Sequence, residues 1–254
     1  MGDGDLLVWC GGPVERSNHA VLFLHDRLAN AKAWDLVMSR MPPGTASIAP
    51  DLRGRGSAWR LPSSIGVPGH VRDLDTILDR LDIDHVIAVG QGFGAALAGE
   101  LARVRSDRVV MSVGVLGRLA ADPFEQVLGM GFPNRLEHQR FWREHPALPA
   151  TATMPAVDDF VGHGIAGPAD HHRWRVDLRS LVSDDASVLG LETPRFTRSI
   201  IVGSIPEGVA DADVTPASMG AVAHLPGVEP SLVLLTNVGA DAVVAQIRLL
   251  LGPD

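Results

Sequence analysis

The chain has 254 residues, of which 46% are hydrophobic and 20% charged, and its formal net charge is −8. This size and apolar content are typical of one large globular domain, with or without an insertion, and they exclude disorder over most of the chain. The negative charge argues against nucleic acid or an anionic membrane as a partner. Because no apolar run approaches ~18 residues and the chain starts with the polar MGDGD, we expect no spanning helix, no secretory signal and a cytoplasmic protein.

Few residue types are available for chemistry. Tyrosine is absent, and the lone Cys10 allows neither an intrachain disulfide nor a cysteine zinc cluster. Since Cys10 falls in an early apolar run, we expect a small core residue there. His163, His171 and His172 have no carboxylate or cysteine at ligand spacing, so we predict no metal site and no cofactor.

Short apolar runs alternate with helical patterns over the first half of the chain. Continuous apolar runs of strand length are typical of strands that are buried on both faces of a sheet. Strands that alternate with helices predict a doubly wound, mostly parallel sheet of the α/β class. In chain order the predicted strands cover 6–10, 20–25, 45–50, 85–90 and 108–116, and the predicted helices cover 34–38, 71–81 and 93–104.

The alternation fails over residues 119–191, a segment rich in Pro, His, Trp and Met. Two patches within it, RLEHQRFWREH and DHHRWRVDLRSL, are typical of amphipathic helices. We therefore interpret 119–191 as a helical cap that is inserted into an α/β core of residues 1–118 and 192–254. Strands are predicted again over 198–203 and 221–225, and the closing helix over 243–251 is expected to bury Val243, Val244, Ile247, Leu250 and Leu251.

Three segments together carry a resemblance to a known family. An apolar strand ends in His25, DLRGRGS covers residues 51–57, and GQGFGA covers residues 90–95 between a strand and an Ala-rich helix. In this layout the chain resembles the α/β-hydrolase superfamily, in particular its small esterase, lactonase and C–C hydrolase members. The resemblance spans nearly the whole chain and implies a ligand held in the cleft between core and cap.

The family's nucleophile lies on a sharp turn from strand to helix, between two small residues. Gly90 and Gly94 match the two small flanking positions, but the position between them is Gly92. Because glycine has no side chain, the resemblance implies a member without a nucleophile.

The other two positions of the implied catalytic triad are also altered. Pro206 stands where the family's acid is usually an aspartate, and Glu207 beside it is a candidate in imperfect register. Residues 228–230 are VEP where a Gly-His pair is expected, and His224 lies about five residues too early, within a predicted strand. Glu207 and His224 are therefore weak catalytic candidates.

The oxyanion hole of the family is made by the amide after the nucleophile, here that of Phe93, and by an amide just after a His-Gly strand end. This chain has His25-Asp26-Arg27, so a carboxylate replaces the glycine. A carboxylate 4 Å from a developing oxyanion is repulsive by up to ~4 kcal/mol at an effective dielectric of ~20. Asp26 is therefore incompatible with ordinary ester hydrolysis unless it points away or pairs with Arg27 in a solvent-facing loop.

These features predict a pseudo-enzyme that binds a small, largely apolar molecule between core and cap, and a protein partner or a homo-oligomer is compatible with this role. The alternative is an enzyme that uses the same pocket for serine-independent chemistry of the cyclase, lyase or isomerase type, with Asp26 as acid or base. A third hypothesis is a hydrolase whose nucleophile has moved to Ser57, Ser112 or Cys10, near a histidine such as His25. The expected ligand-binding residues are Asp26, Arg27, Gln91, Gly92 and Phe93.

Overall fold

The computed structural model describes residues 6–61, 65–117, 123–168, 171–189, 191, 196–202, 221–225 and 230–252. Within these ranges a mixed sheet of seven strands has the order β1-β3-β2-β4-β5-β8-β9. Its members are β1 (Val8–Gly11), β2 (His19–Leu24), β3 (Ser47–Pro50), β4 (His85–Gln91), β5 (Val109–Gly117), β8 (Arg198–Val202) and β9 (Ala221–Leu225). A two-stranded sheet contains β6 (Ile165–Ala166) and β7 (Arg173–Trp174).

The helices follow most of the predicted positions, and two of them, those predicted over 71–81 and 243–251, begin earlier than the apolar pattern indicates. In chain order they are α1 (Asp35–Met38), α2 (Gly66–Arg80), α3 (Phe93–Val104), α4 (Arg135–Arg143), α5 (Met154–His163), α6 (Leu178–Val188) and α7 (Asn237–Leu251). Within the described ranges, no helix combines the length and the apolar character needed to cross a membrane.

All neighbouring strands of the large sheet are parallel except β1, which is antiparallel to β3. The prediction of a mostly parallel α/β sheet is therefore confirmed. Strands β2 and β4 are neighbours, with Leu24 opposite Gly90. This register puts the residues after β2 beside the turn after β4, at the carboxyl edge where ligands of such sheets bind.

Two apolar clusters cover the two faces of the sheet. On one face α3 packs against β2, β4 and β5, and α2 packs against α3. Leu22, Leu74 and Leu97 belong to the apolar cluster on this face. On the other face the apolar side of α7 joins Phe23 and Trp34, and this cluster continues into the predicted cap through buried aromatic and aliphatic side chains, among them Trp142, Phe160, Val161 and Trp174. Buried apolar side chains thus pack α4, α5 and α6 into the same cluster as the sheet. The division into core and cap stays a prediction.

The prediction of a helix over DHHRWRVDLRSL is wrong for the first part of this segment. Arg173 and Trp174 instead form β7, which pairs with β6, and the Trp174 indole N–H donates to the Leu28 carbonyl at 2.8 Å. The helix begins only at Leu178, because the Asp177 side chain accepts a hydrogen bond from the backbone N–H of Arg179 and caps it.

Two burial predictions are also wrong. Cys10 is exposed, because β1 is the edge strand of the sheet and presents alternate side chains to solvent. Leu251, in the last turn of α7, is 45% exposed, whereas Val243, Val244 and Ile247 are buried as predicted.

Candidate functional site

The turn between β4 and α3 has the strand-turn-helix geometry that the GQGFGA motif predicts. Gly92 lies between the two elements with φ 51° and ψ −115°, a backbone conformation that side-chain-bearing residues adopt only under strain. The turn also lies close to its neighbours, since a Cβ on Gly94 would come within 2.1 Å of the Leu24 carbonyl oxygen. Glycine at both positions lets β2 and the start of α3 approach each other.

The Asp26 carboxylate binds two backbone amides beside the turn between β4 and α3. Its Oδ1 accepts hydrogen bonds from the backbone N–H groups of Arg27 and Phe93, both at 2.7 Å. These are the amide after Gly92, in the elbow turn of residues 90–94, and an amide just after His25, the two donors that the resemblance assigns to an oxyanion. The carboxylate also lies at the N-terminus of α3, where the helix dipole favours a negative charge.

Asp26 also fills the space above Gly92. A Cβ on Gly92 would lie 2.2 Å from Asp26 Oδ1 and 2.3 Å from Oδ2. Asp26 is only 9% exposed, so it neither points away nor faces solvent. The Arg27 guanidinium forms ion pairs with Asp185 and Glu125.

The environment of Asp26 favours a basic carboxylate. Burial raises its pKa, against the opposing effect of the two backbone hydrogen bonds and of Arg27 and Arg55. Among the described residues, both hydrogen bonds end on Oδ1 and none ends on Oδ2. Oδ2 is therefore the acceptor that remains available to another molecule.

A buried polar cluster of Arg55, His70 and Asp184 lies beside Phe93. The Arg55 side chain is 0% exposed, and its Nη1 lies 2.6 Å from Asp184 Oδ2. His70 Nε2 lies 3.3 Å from Asp184 Oδ1, and both side chains are 1% exposed. The Arg55 Cζ atom lies 5.2 Å from the centroid of the Phe93 ring, and the centroid of the His70 ring lies 5.5 Å from it. The cluster thus adjoins the residue whose amide binds Asp26.

Sequence reasoning missed this cluster. Its members come from the segment after β3, from α2 and from α6, and no single motif contains them. One signal was present, because Asp184 follows Leu181 by three residues and so places a charge on the inward face of an amphipathic helix.

Burial lowers the pKa of Arg55, and the neighbouring Asp184 and Asp26 oppose this effect.

His25 is a structural residue. Its ring is fully buried, with Nδ1 2.7 Å from the Asp26 carbonyl oxygen and Nε2 accepting from the Leu52 N–H at 3.0 Å. Burial is the main cause that lowers its pKa to about 4, so the ring is neutral at neutral pH. With both nitrogens engaged, His25 has no site left to activate a displaced nucleophile.

Ser57, one of the three candidate displaced nucleophiles, belongs to a different network. Its hydroxyl donates to Asp51 Oδ2 at 2.6 Å, and His163 Nε2 binds the same oxygen at 2.6 Å. Burial would raise the pKa of Asp51, but the hydrogen bond and charge of His163 and further donors hold it at about 2. Because serine and histidine both bind the carboxylate rather than each other, the histidine is not placed to deprotonate the serine.

The other two candidate nucleophiles lie on the strands β5 and β1. Ser112 is buried in β5, and its backbone N–H binds Thr197 Oγ1 at 3.0 Å. Partial burial and then the charge of Glu15 raise the pKa of the Cys10 thiol, which lowers its thiolate fraction.

The remaining sequence candidates separate into two groups. Asp26, Gln91, Gly92 and Phe93 come together at the elbow, with the Arg27 backbone beside them. His224 lies on β9 opposite Ile201, and Glu207 lies outside the described residues. In the described ranges no group of three or more His, Cys, Asp or Glu side chains could hold a metal ion.

Two cavities lined by described residues lie away from the elbow. One, of about 990 Å³, is an open groove along α7. The other, of about 340 Å³, lies at the amino ends of β2 and β4, beside His19 and His85. Because ligands of parallel sheets bind at the carboxyl ends of the strands, neither cavity is the candidate site.

Comparison with known proteins gives one family match and several relatives. The model of the family described as "Alpha/beta hydrolase family" matches residues 21–251. A haloalkane dehalogenase of Bradyrhizobium diazoefficiens is 34% identical over 198 residues, which are 77% of this chain and 53% of that protein. An "Epoxide hydrolase 2" of Siraitia grosvenorii is 42% identical over 98 residues, 37% of this chain and 30% of that protein. The chain thus spans about a third to a half of these relatives.

Solved structures share the fold over nearly the whole chain. An E-2-(acetamidomethylene)succinate hydrolase superimposes with a TM-score of 0.72 at 18% identity and covers 95% of this chain and 94% of its own. A thioesterase domain from the curacin biosynthetic pathway superimposes with a TM-score of 0.67 at 19% identity, over 95% and 94% of the two chains.

Proposed function

Because this chain belongs to the alpha/beta hydrolase family, we propose that it is a member that does not hydrolyse esters at the elbow and instead binds a small, largely apolar molecule between core and cap. The observation that carries the proposal is the position of Asp26, whose Oδ1 takes the hydrogen bonds of both oxyanion-hole amides. The ligand would contact the elbow residues Asp26, Arg27, Gln91, Gly92 and Phe93.

Occupation of the hole by a carboxylate opposes acyl transfer in two ways. Each oxyanion donor typically contributes about 2.7–4 kcal/mol to the stability of the tetrahedral intermediate, and both donors are engaged here. The negative charge of Asp26 also repels a developing oxyanion. Since Gly92 supplies no nucleophile, hydrolysis through the elbow lacks both its attacking group and its electrostatic support.

The apolar side chains of the cap support binding of a small molecule. The rings of Phe160 and Trp174 pack at a tilt of 54°, with their centroids 5.5 Å apart. Hydrogen bonds from Asn30 to the Phe160 carbonyl and from Trp174 to the Leu28 carbonyl anchor both residues to the core. Aromatic walls with a few placed polar groups are the usual lining of small-molecule sites. The buried polar cluster supplies such groups next to Phe93.

Turnover of p-nitrophenyl butyrate by the full chain, purified to homogeneity, tests the proposal. We expect a rate equal to the buffer rate, no labelling by a fluorophosphonate probe, and the same result for Ser57→Ala. A small molecule retained in native mass spectra would support binding. Robust turnover that resists further purification, or a labelled serine, would contradict the proposal.

One observation favours a second candidate function, serine-independent chemistry with Asp26 as the base. Asp26 Oδ2 has no hydrogen bond among the described residues, and burial raises the pKa of this carboxyl. A fixed base with a raised pKa is suited to proton abstraction, as in elimination or isomerisation. In that case Asp26→Asn abolishes turnover of the molecule that undergoes elimination or isomerisation, while its binding persists. Turnover of this molecule that survives Asp26→Asn rejects the function.

A further inference from the structure

The buried polar cluster has more hydrogen-bonding atoms than the described residues can satisfy. Arg55 Nη2 and both ring nitrogens of His70 are buried without a hydrogen-bond partner there, and the two Asp184 oxygens make only the ion-pair contacts with Arg55 Nη1 and His70 Nε2. In folded proteins more than about 90% of buried polar groups have a hydrogen-bond partner. Several buried polar atoms without a partner on three neighbouring residues therefore indicate that a bound molecule, the guest, supplies one. We propose that this cluster binds the uncharged head group of the small molecule, a hydroxyl or a group that likewise both donates and accepts.

The orphaned atoms define what the head group must offer. Arg55 Nη2 is a donor and needs an acceptor from the guest. The Asp184 oxygens are acceptors, so the guest must also donate a proton. A hydroxyl satisfies both demands with a single oxygen.

The charges near the cluster exclude a charged head group. Arg55 and Asp184 form an ion pair with 0% and 1% side-chain exposure, so their charges already compensate each other. An anionic head would meet the carboxylates of Asp184 and Asp26, and the Arg55 guanidinium is already paired with Asp184. A cationic head would face the Arg55 guanidinium, and burying an unpaired charge of either sign is costly.

The position of the cluster agrees with the proposed ligand site, on which this inference rests. Phe93 links the two, because its amide binds Asp26 and its ring contacts both Arg55 and His70. A ligand whose hydroxyl reaches the cluster would therefore lay its apolar body along the Phe93 ring, close to the open Oδ2 of Asp26.

Four probes of equal chain length test the inference on the full chain at neutral pH: hexan-1-ol, hexyl methyl ether, hexanoate and hexylammonium. Isothermal titration is expected to give hexan-1-ol at least tenfold tighter binding than each of the other three. The ether accepts but cannot donate, so it isolates the contribution of the donated proton. A crystal structure with hexan-1-ol is expected to place its oxygen within hydrogen-bond distance of Arg55 Nη2 or a His70 nitrogen.

The variant His70→Phe keeps an aromatic ring against Phe93 and removes both nitrogens, so we expect it to weaken hexan-1-ol binding about tenfold. His19→Phe, on the exposed start of β2, is the matched control and should leave binding unchanged. The inference would be overturned if all four probes bound equally or none bound. It would also be overturned if His70→Phe left the affinity for hexan-1-ol unchanged, or if the crystal structure showed only ordered water in the cluster. Ester turnover by the same preparation would instead overturn the proposed function, so the two failures are distinguishable.

Discussion

Gly92→Ala is expected to lower the free energy of unfolding by about 2–4 kcal/mol, a large effect for a single methyl group. The added Cβ would lie 2.2 Å from Asp26 Oδ1, so the carboxylate must leave the two amides or the backbone must shift. The φ of 51° at Gly92 adds backbone strain. Urea denaturation followed by circular dichroism measures the change.

A double-mutant cycle separates the steric overlap from the backbone strain. In an Asp26→Gly background, Gly92→Ala no longer meets the carboxylate, so we expect its cost to fall to about 1–2 kcal/mol. Gly44→Ala is the matched control, because Gly44 has φ 84° and a Cβ there would meet nothing within 4 Å. If the costs of Asp26→Gly and Gly92→Ala are additive, Asp26 does not lie above Gly92 and the account of the site is wrong.

Asp184→Leu is expected to destabilise the protein by about 3–5 kcal/mol, since it leaves the guanidinium of Arg55 buried without its counter-charge. Arg55→Met should cost a similar amount, because it leaves the buried Asp184 carboxylate without its guanidinium partner. The double variant Arg55→Met/Asp184→Leu removes both charges from the interior, and we expect it to be more stable than either single variant.

Glu144→Ala is the control for the buried pair. Glu144 pairs with Arg140 on α4, where the two side chains are 66% and 67% exposed, and exposed pairs contribute only about 0–1 kcal/mol. Asp184→Leu would contradict the buried pair if it cost no more than Glu144→Ala in the same denaturation experiment.

The sheet and most helices could be predicted from the sequence because their signals are local. The run from Ala20 to Leu24 is apolar at every position, as a strand covered on both faces requires. The Arg173–Trp174 strand could not be predicted in this way, since it depends on pairing with Ile165 and Ala166 and on the distant Leu28 carbonyl. Helical periodicity alone does not contain such contacts.

Only those parts of the site that show as changes within a sequence motif could be predicted. The glycine at position 92 and the Asp26-Arg27 replacement were visible as departures from a motif, and β2 and β4 had to be neighbours to bring them together. The orientation of Asp26 was open, because one of its two backbone donors, the Phe93 N–H, comes near it only through the pairing of β2 with β4. The cluster of Arg55, His70 and Asp184 joins three separate elements and had no motif at all.

The most direct test of the central claim is a pH titration of the backbone amides of Arg27 and Phe93 by ¹H–¹⁵N nuclear magnetic resonance. Both amides donate to one oxygen of Asp26, so their signals should shift together with a single midpoint. Because burial raises the pKa of Asp26, that midpoint should lie above the ordinary value of 3.8, and Asp26→Asn should abolish the shift. Amides that do not titrate, or that titrate equally in Asp26→Asn, would contradict a carboxylate in the oxyanion hole.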